Sequence, residues 1–297
     1  MIIRRTLLSA IFLVALCAPW ATLAAQEGSR DVIFVPTPEQ VVMEMLKMAK
    51  VTKDDVVYDL GCGDGRNVIT AAKVFGARGI GIDIDPELIE EGTRNSTIAG
   101  VADRVKFLQQ DLFTTDLREA TVVFLYLLPE LNEKLRPKLL RELKPGSRVI
   151  SHEFDMGDWK PDAKGMMPHM DVFYDLKRPS KKDLYYYFWV IPADVAGVWR
   201  WSVPTKTGER EYALRLSQRY QEIDGFVRSR GKEIPVSDTR LRGDRINFTV
   251  KDEIDGKAAV MRFAGQVNGN IIQGAAKIQG GPFAGQRSWR ATGVIDR

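Results

Sequence analysis

The residues best placed to do chemistry sit in one run, Val56-Val57-Tyr58-Asp59-Leu60-Gly61-Cys62-Gly63-Asp64-Gly65-Arg66. An apolar strand ends at Leu60, a glycine-rich turn follows, and a helix starts near Arg66. Gly61, Gly63 and Gly65 remove the side chains that would keep a ligand off the backbone, and they permit positive φ. The helix N-terminus beyond them offers unpaired N–H groups to the polar end of a ligand. A dinucleotide fingerprint requires a small residue three positions after its second glycine. That position is Arg66, so the spacing is G-x-G-x-G and no pyrophosphate fingerprint is present. A second apolar strand, Gly79–Asp83, ends in a carboxylate eighteen residues after Gly65. An acid at that place can accept both hydroxyls of a ribose, and Asp83 is assigned that role. Asp85, directly before Pro86, reads as the cap of the next helix.

The elements that position these residues alternate between two periods. Val56–Leu60, Gly79–Asp83, Val105–Leu108, Thr121–Leu125 and Arg148–His152 read as short strands. Helical spacing lies between them and in Val41, Val42, Met45, Leu46 and Ala49, with Thr37 as expected N-cap, Pro38 at the first helical position and Gln40 completing a capping box. Such alternation predicts an α/β fold, a doubly wound, mostly parallel seven-strand sheet. Two further strands, around His169–Tyr174 and Leu184–Ile191, are expected to close it as a hairpin. The latter is apolar on both alternating sets, as a strand covered on both faces should be. After about Ala193 the helical period stops. Turn pairs such as Asp224-Gly225, Asp255-Gly256 and Asn268-Gly269 recur about every ten residues, which predicts a small antiparallel β-barrel of about eight strands. The expected organisation is residues 1–25 as a signal peptide, 26–192 as the α/β unit and 193–297 as the barrel. Gly197-Val198-Trp199 with Arg290 near the end resembles lipocalin-like barrels, which implies an arginine packed over the tryptophan face.

The glycine turn led by Asp59 resembles motif I of the class I methyltransferases, whose cofactor is S-adenosylmethionine. The resemblance implies that Asp59, Gly61, Cys62, Gly63 and Gly65 surround the cofactor with Asp83. In Val105-Lys106-Phe107-Leu108-Gln109-Gln110-Asp111-Leu112 it implies that Asp111 faces the adenine amino group and that Leu112 or Phe113 covers the ring. Val35-Pro36-Thr37-Pro38, Thr121 to Pro129, Arg148 to Phe154 and Trp159-Lys160-Pro161 are similar to a narrower group, the seven-strand protein-lysine methyltransferases of mitochondrial type and their exported bacterial relatives. This likeness covers roughly residues 33–190. The expected acceptor is therefore a protein lysine amine; a small-molecule acceptor, or an exported protein that binds the cofactor or another ligand without catalysis, remains open. Methyl transfer requires alignment of a lone pair with the methyl group and exclusion of water. Tyr126 and Glu153, at the carboxyl ends of the fourth and fifth strands, are the candidates for assisting a lysine nucleophile. Glu130, His152 and Asp155 lie in the same region.

Composition excludes several other classes. There is no Asn-Pro-Pro-Tyr after the fourth strand and no cysteine nucleophile arrangement. His152 and His169 are the only histidines, so no metal site is expected. Arg4 and Arg5, the apolar run Leu7–Ala18 and the small residues Ala24 and Ala25 read as a signal for export to the periplasm, with an uncleaved anchor as the alternative. Cleavage lowers the formal charge from +4 to +2, too little to argue for nucleic acid, and leaves Cys62 as the one cysteine. The arginines at 215, 219, 228, 230, 240, 242 and 245 are balanced by nearby acids and read as a solvated barrel exterior. No stable membrane span is expected once the signal is gone.

Overall fold

The computed structural model describes residues 34–172, 180–206, 208–281 and 284–296. The expected signal peptide, the end of the His169–Tyr174 strand and Thr207 lie outside the described residues. The first part of the chain runs α1 (Glu39–Met48), β1 (Val56–Leu60), α2 (Arg66–Phe75), β2 (Arg78–Asp83), α3 (Pro86–Ile98), β3 (Val105–Gln109), β4 (Val122–Leu125), α4 (Pro129–Glu142), β5 (Arg148–His152), β6 (Ala163–Val172) and β7 (Ser180–Val190). These seven strands form one sheet in the order β3-β2-β1-β4-β5-β7-β6. The β1–β2, β1–β4, β2–β3 and β4–β5 pairs are parallel, whereas β7 runs antiparallel to both β5 and β6. β1 and β4 are buried at every position, which is why both are apolar apart from Asp59 of β1. Strand order reverses between β1 and β4, and the crevice at their carboxyl ends is where such a sheet takes a ligand.

Two local expectations change and a third holds. Thr37 does not cap α1. Pro38 occupies the N-cap position, no side chain caps the helix, and the Thr37 hydroxyl turns instead to His152. The hairpin strand expected around His169 begins earlier, at Ala163, and shifts register between Met167 and Met170, with His169 at φ 56°. Asp85, by contrast, caps α3 as expected, accepting from the Glu87 N–H at 3.0 Å.

The remaining strands form a second sheet: β8 (Gly197–Thr205), β9 (Gly208–Arg219), β10 (Glu222–Ser229), β11 (Lys232–Pro235), β12 (Ser237–Arg242), β13 (Arg245–Ile254), β14 (Lys257–Asn268), β15 (Ile271–Gly280) and β16 (Gly285–Ile295). Nine strands are present where about eight are expected, and the last residue of β11 and the first of β12 are separated by Val236 alone. The order β11-β10-β9-β8-β16-β15-β14-β13-β12 pairs the first strand with the last and leaves the two short strands at the edges, giving a nearly closed barrel. Its interior is filled by Trp199, Trp201, Tyr212, Phe248, Phe263 and Trp289 among other buried side chains. The expected arginine-over-tryptophan contact is absent: Arg290 is exposed, and the Trp199 ring lies against Gly293, where a Cβ would fall 2.5 Å from it. The seven arginines expected on the barrel exterior are all exposed.

The chain changes sheet between Val190 and Gly197, but the connection is not a free linker. Ile191, Ala193 and Val195 are buried. The Ala193 N–H donates to Gly243 O at 2.8 Å, and the Val195 N–H donates to Gln218 Oε1 at 2.7 Å. A second seam joins the sheets where Trp159 Nε1 donates to Gln221 Oε1 at 2.7 Å and the Trp159 ring stacks on Tyr220. Asp158 beside it pairs with Arg136 and Arg219 and accepts from the Tyr220 hydroxyl.

Candidate active site

A cavity of about 450 Å³ opens at the carboxyl edge of the parallel strands. Its wall takes Gly61, Cys62, Asp64, Arg66 and Asn67 from the turn and α2, and Asp83 to Asp85 with Leu88 from the end of β2 and α3. Gln110 to Phe113 follow β3, Tyr126 and Leu127 follow β4, Leu131 and Lys134 belong to α4, and Phe34 to Thr37 precede α1. Of the residues expected around a cofactor, Gly61, Cys62, Asp83, Asp111 and Leu112 reach this wall. Asp59, Gly63 and Gly65 do not, and each is held by a different contact.

Asp59 lies beneath the turn, buried, and accepts from Asn67 Nδ2 at 3.1 Å. Burial, with the Asp83 and Asp64 carboxylates nearby, pushes its pKa up to about 8 despite that hydrogen bond. Gly63, at φ +53°, gives its N–H to Asp83 Oδ2 at 3.0 Å and is covered by the Phe34 ring, which a Cβ would meet at 2.0 Å. Gly65 is the left-handed residue that opens α2, and its open face is filled from below by Phe107. Phe107 of β3 rests against Gly65, Gly81 and Gly92 together, each too close for a Cβ. The third turn glycine therefore serves packing of β3 under the turn rather than ligand approach.

The Asp83 carboxylate is fixed at both oxygens, Oδ2 by Gly63 and Oδ1 by the Asp85 N–H at 3.1 Å. Asp111 is exposed at the rim and accepts from the Phe113 N–H at 2.8 Å. The Phe113 ring carries Lys134 Nζ 4.2 Å from its centroid. Cys62 is buried, and desolvation together with Asp59 holds its thiol well above its ordinary pKa, which favours the neutral thiol.

The two candidates on the acceptor side separate. Tyr126 lines the cavity, its ring tilted on His152 at 4.1 Å between centroids and stacked on Phe154 at 6.3 Å. Glu153 is not brought to the wall. It adopts φ 64°, its side chain is buried, and its carboxylate is taken by the Tyr185 N–H at 2.8 Å and by the Lys182 ammonium. That carboxylate ties the end of β5 to β7. Neither Glu130 nor Asp155 lines the cavity either. Among the described residues no cluster of His, Cys, Asp and Glu could hold a metal ion. Sequence reasoning missed Phe34, Asn67 and Lys134 as wall residues. Asn67 carries the one usable signal, a polar residue on the first turn of a helix directly after the glycine run.

A doubly wound sheet with a glycine turn after its first strand and an acid at the end of its second holds a nucleoside cofactor, and the family and relatives that this chain matches make it that of a class I methyltransferase using S-adenosylmethionine. The profile of the ANTKMT methyltransferase domain family matches residues 59–163, ending before the barrel begins. A protein-lysine N-methyltransferase of Saccharolobus islandicus is 52% identical over 129 residues, which are 43% of this chain and 80% of that protein. The adenine nucleotide translocase lysine N-methyltransferase of Mus musculus is 33% identical over 107 residues, 36% of this chain and 47% of that protein. A crystal structure of an RNA methyltransferase from Salinibacter ruber in complex with S-adenosyl-L-homocysteine shares 51% identity over 54% of this chain and 96% of that chain, at a TM-score of 0.47. The chain belongs to the class I, S-adenosylmethionine-dependent methyltransferases of the protein-lysine type.

Proposed function

We propose that this methyltransferase transfers its methyl group to the ε-amine of a protein lysine. The observation that carries this reading is the 52% identity to a protein-lysine methyltransferase across 80% of that relative's length. Bound S-adenosylmethionine supplies an electrophilic methyl group, so the protein has to bind, orient and exclude water. The residues present suit that cofactor. Asp83 would accept the ribose hydroxyls, Asp111 the adenine amino group, and Leu112 and Phe113 would cover the ring. Asn67 Oδ1 is buried at the cavity wall with no partner among the described residues, an acceptor suited to the ammonium of the cofactor's amino-acid end. Tyr126, backed by His152 and Phe154, forms an aromatic wall beside this space. A lysine amine desolvated against it is shifted toward its neutral, nucleophilic form.

Incubation of the full chain with methyl-labelled S-adenosylmethionine and a host extract tests the reading. Label recovered as methyl-lysine after protein hydrolysis is expected. Label in nucleic acid or in small molecules alone, or in nothing, overturns the acceptor.

We also infer that the chain is exported to the periplasm, on the strength of Arg4, Arg5, the apolar run Leu7–Ala18 and the small residues at Ala24 and Ala25. Mass measurement of protein recovered from the periplasmic fraction should find an N-terminus near residue 25 or 26. A full-length chain confined to the cytoplasm overturns this.

A further inference from the structure

One buried hydrogen bond joins the two sides of the cavity. The Thr37 hydroxyl and His152 Nδ1 are 3.1 Å apart, 115 residues apart in the chain, and both residues are buried. The Thr37 backbone carbonyl accepts from Arg66 Nη1 at 2.8 Å, and Arg66 is clamped in turn by the Asp64 carboxylate of the glycine turn. Thr37 is thus gripped by the cofactor turn through its carbonyl and by the end of β5 through its hydroxyl. The three residues before it, Phe34, Val35 and Pro36, complete the cavity wall, with the Phe34 ring against Gly63.

His152 depends on the same contact. Its Nε2 is buried with no partner among the described residues, so Thr37 is the group that fixes the ring by hydrogen bonding. Removing the Thr37 hydroxyl would leave both ring nitrogens buried and unpaired, the costly arrangement for a polar group. Tyr126, on the cavity wall, rests on this imidazole.

We propose that the Thr37–His152 contact is a latch, which holds segment 34–37 as a wall of the cofactor cavity and fixes the ring that supports Tyr126. Both are positioning residues for methyl transfer, an inference that rests on the methyltransferase reading of this cavity. Neutrality of the ring is consistent with it: burial pushes His152 down to about 4, outweighing Glu153, which acts to raise it, while Lys182 lowers it further. A neutral imidazole keeps one nitrogen as an acceptor for a hydroxyl.

Calorimetry of the full chain with S-adenosyl-L-homocysteine tests the latch. T37V should bind about five- to tenfold more weakly, the loss expected for one buried neutral hydrogen bond. T37S should restore binding to within about twofold, because it returns the hydroxyl. H152F keeps an aromatic ring under Tyr126 but offers no hydrogen-bond partner, so adding T37V to it should cost little more, a coupling that two independent structural defects would not show. Wild-type affinity in T37V, or additive losses in the double variant, overturns the latch. If H152F fails to fold, the T37V and T37S pair decides alone. A wild-type protein that binds no S-adenosyl-L-homocysteine overturns the reading of the cavity and the latch with it.

Discussion

Gly63 and Asp83, twenty residues apart, are tied across the carboxyl edge of the sheet: the Gly63 N–H donates to Asp83 Oδ2 at 3.0 Å. The bond fixes the glycine turn of the first strand to the acid of the second, so the position of the acid expected to meet the ribose is set by the turn. D83A removes this acceptor, the acceptor for the Asp85 N–H and the one offered to a ribose. Charge-assisted bonds contribute roughly 1.5–3 kcal/mol each, so S-adenosyl-L-homocysteine affinity should fall by at least about tenfold. D83N, which keeps one carbonyl oxygen, should lose less. Calorimetry checks both, and unchanged affinity in folded D83A would remove Asp83 from the site.

The two turn glycines Gly63 and Gly65 should fail differently. A Cβ on Gly65 would fall 2.4 Å from the Phe107 ring, inside the fold, whereas one on Gly63 would meet Phe34, which is 42% exposed. G65A should therefore lower stability by about 1–3 kcal/mol through overpacking, on top of left-handed strain. G63A shares the strain but displaces a rim side chain, so its larger effect should be on S-adenosyl-L-homocysteine affinity. Thermal unfolding and calorimetry on both variants check the split; identical profiles would contradict it.

Asp59 makes stability depend on pH. Burial raises its pKa from 3.8 to about 8 in the folded protein, so over that window the folded state binds the proton that the unfolded chain releases. Its contribution is fully present below the unfolded value and is lost as pH rises through about 8. D59N carries no such proton, so the wild-type melting temperature should fall relative to D59N between roughly pH 5 and pH 8. A constant difference across that range would show that Asp59 is ionised in the folded protein.

The connection between the sheets should resist proteolysis. Ile191, Ala193 and Val195 are buried and their backbone is paired, so a non-specific protease should not cut first between residues 192 and 197. Q221A, which deprives the buried Trp159 indole of its acceptor, should lower the melting temperature of the full chain. Rapid cutting at 192–197 with retention of S-adenosyl-L-homocysteine binding would show instead that the α/β unit stands alone.

Much of this was local and therefore legible. Strands β1, β4 and β5 announce themselves because buried parallel strands are short, mainly apolar runs, and the turn after β1 because glycine fits its left-handed positions. Asp83 could be placed from its position at the end of a strand, Asp111 from the methyltransferase resemblance, and the barrel from its recurrent turn pairs. The identity of the cofactor came from the resemblance of the Asp59-led glycine turn to motif I of the class I methyltransferases; the spacings set where its partners fall, since each is a distance along the chain that becomes a fixed distance across adjacent parallel strands.

What the tertiary structure alone decided concerns residues whose partners are remote in sequence. Thr37 has the type and position of a helix cap, yet its hydroxyl is taken by His152, 115 residues away. Glu153 stands where a proton acceptor could stand, yet Tyr185 and Lys182 of β7 occupy its carboxylate. Gly65 belongs to the glycine motif, yet its missing side chain makes room for Phe107. Each of these residues has one type and two possible partners, and the competition is settled by which partner the packed sheets bring within hydrogen-bond or van der Waals reach, a quantity that spacing along the chain does not contain.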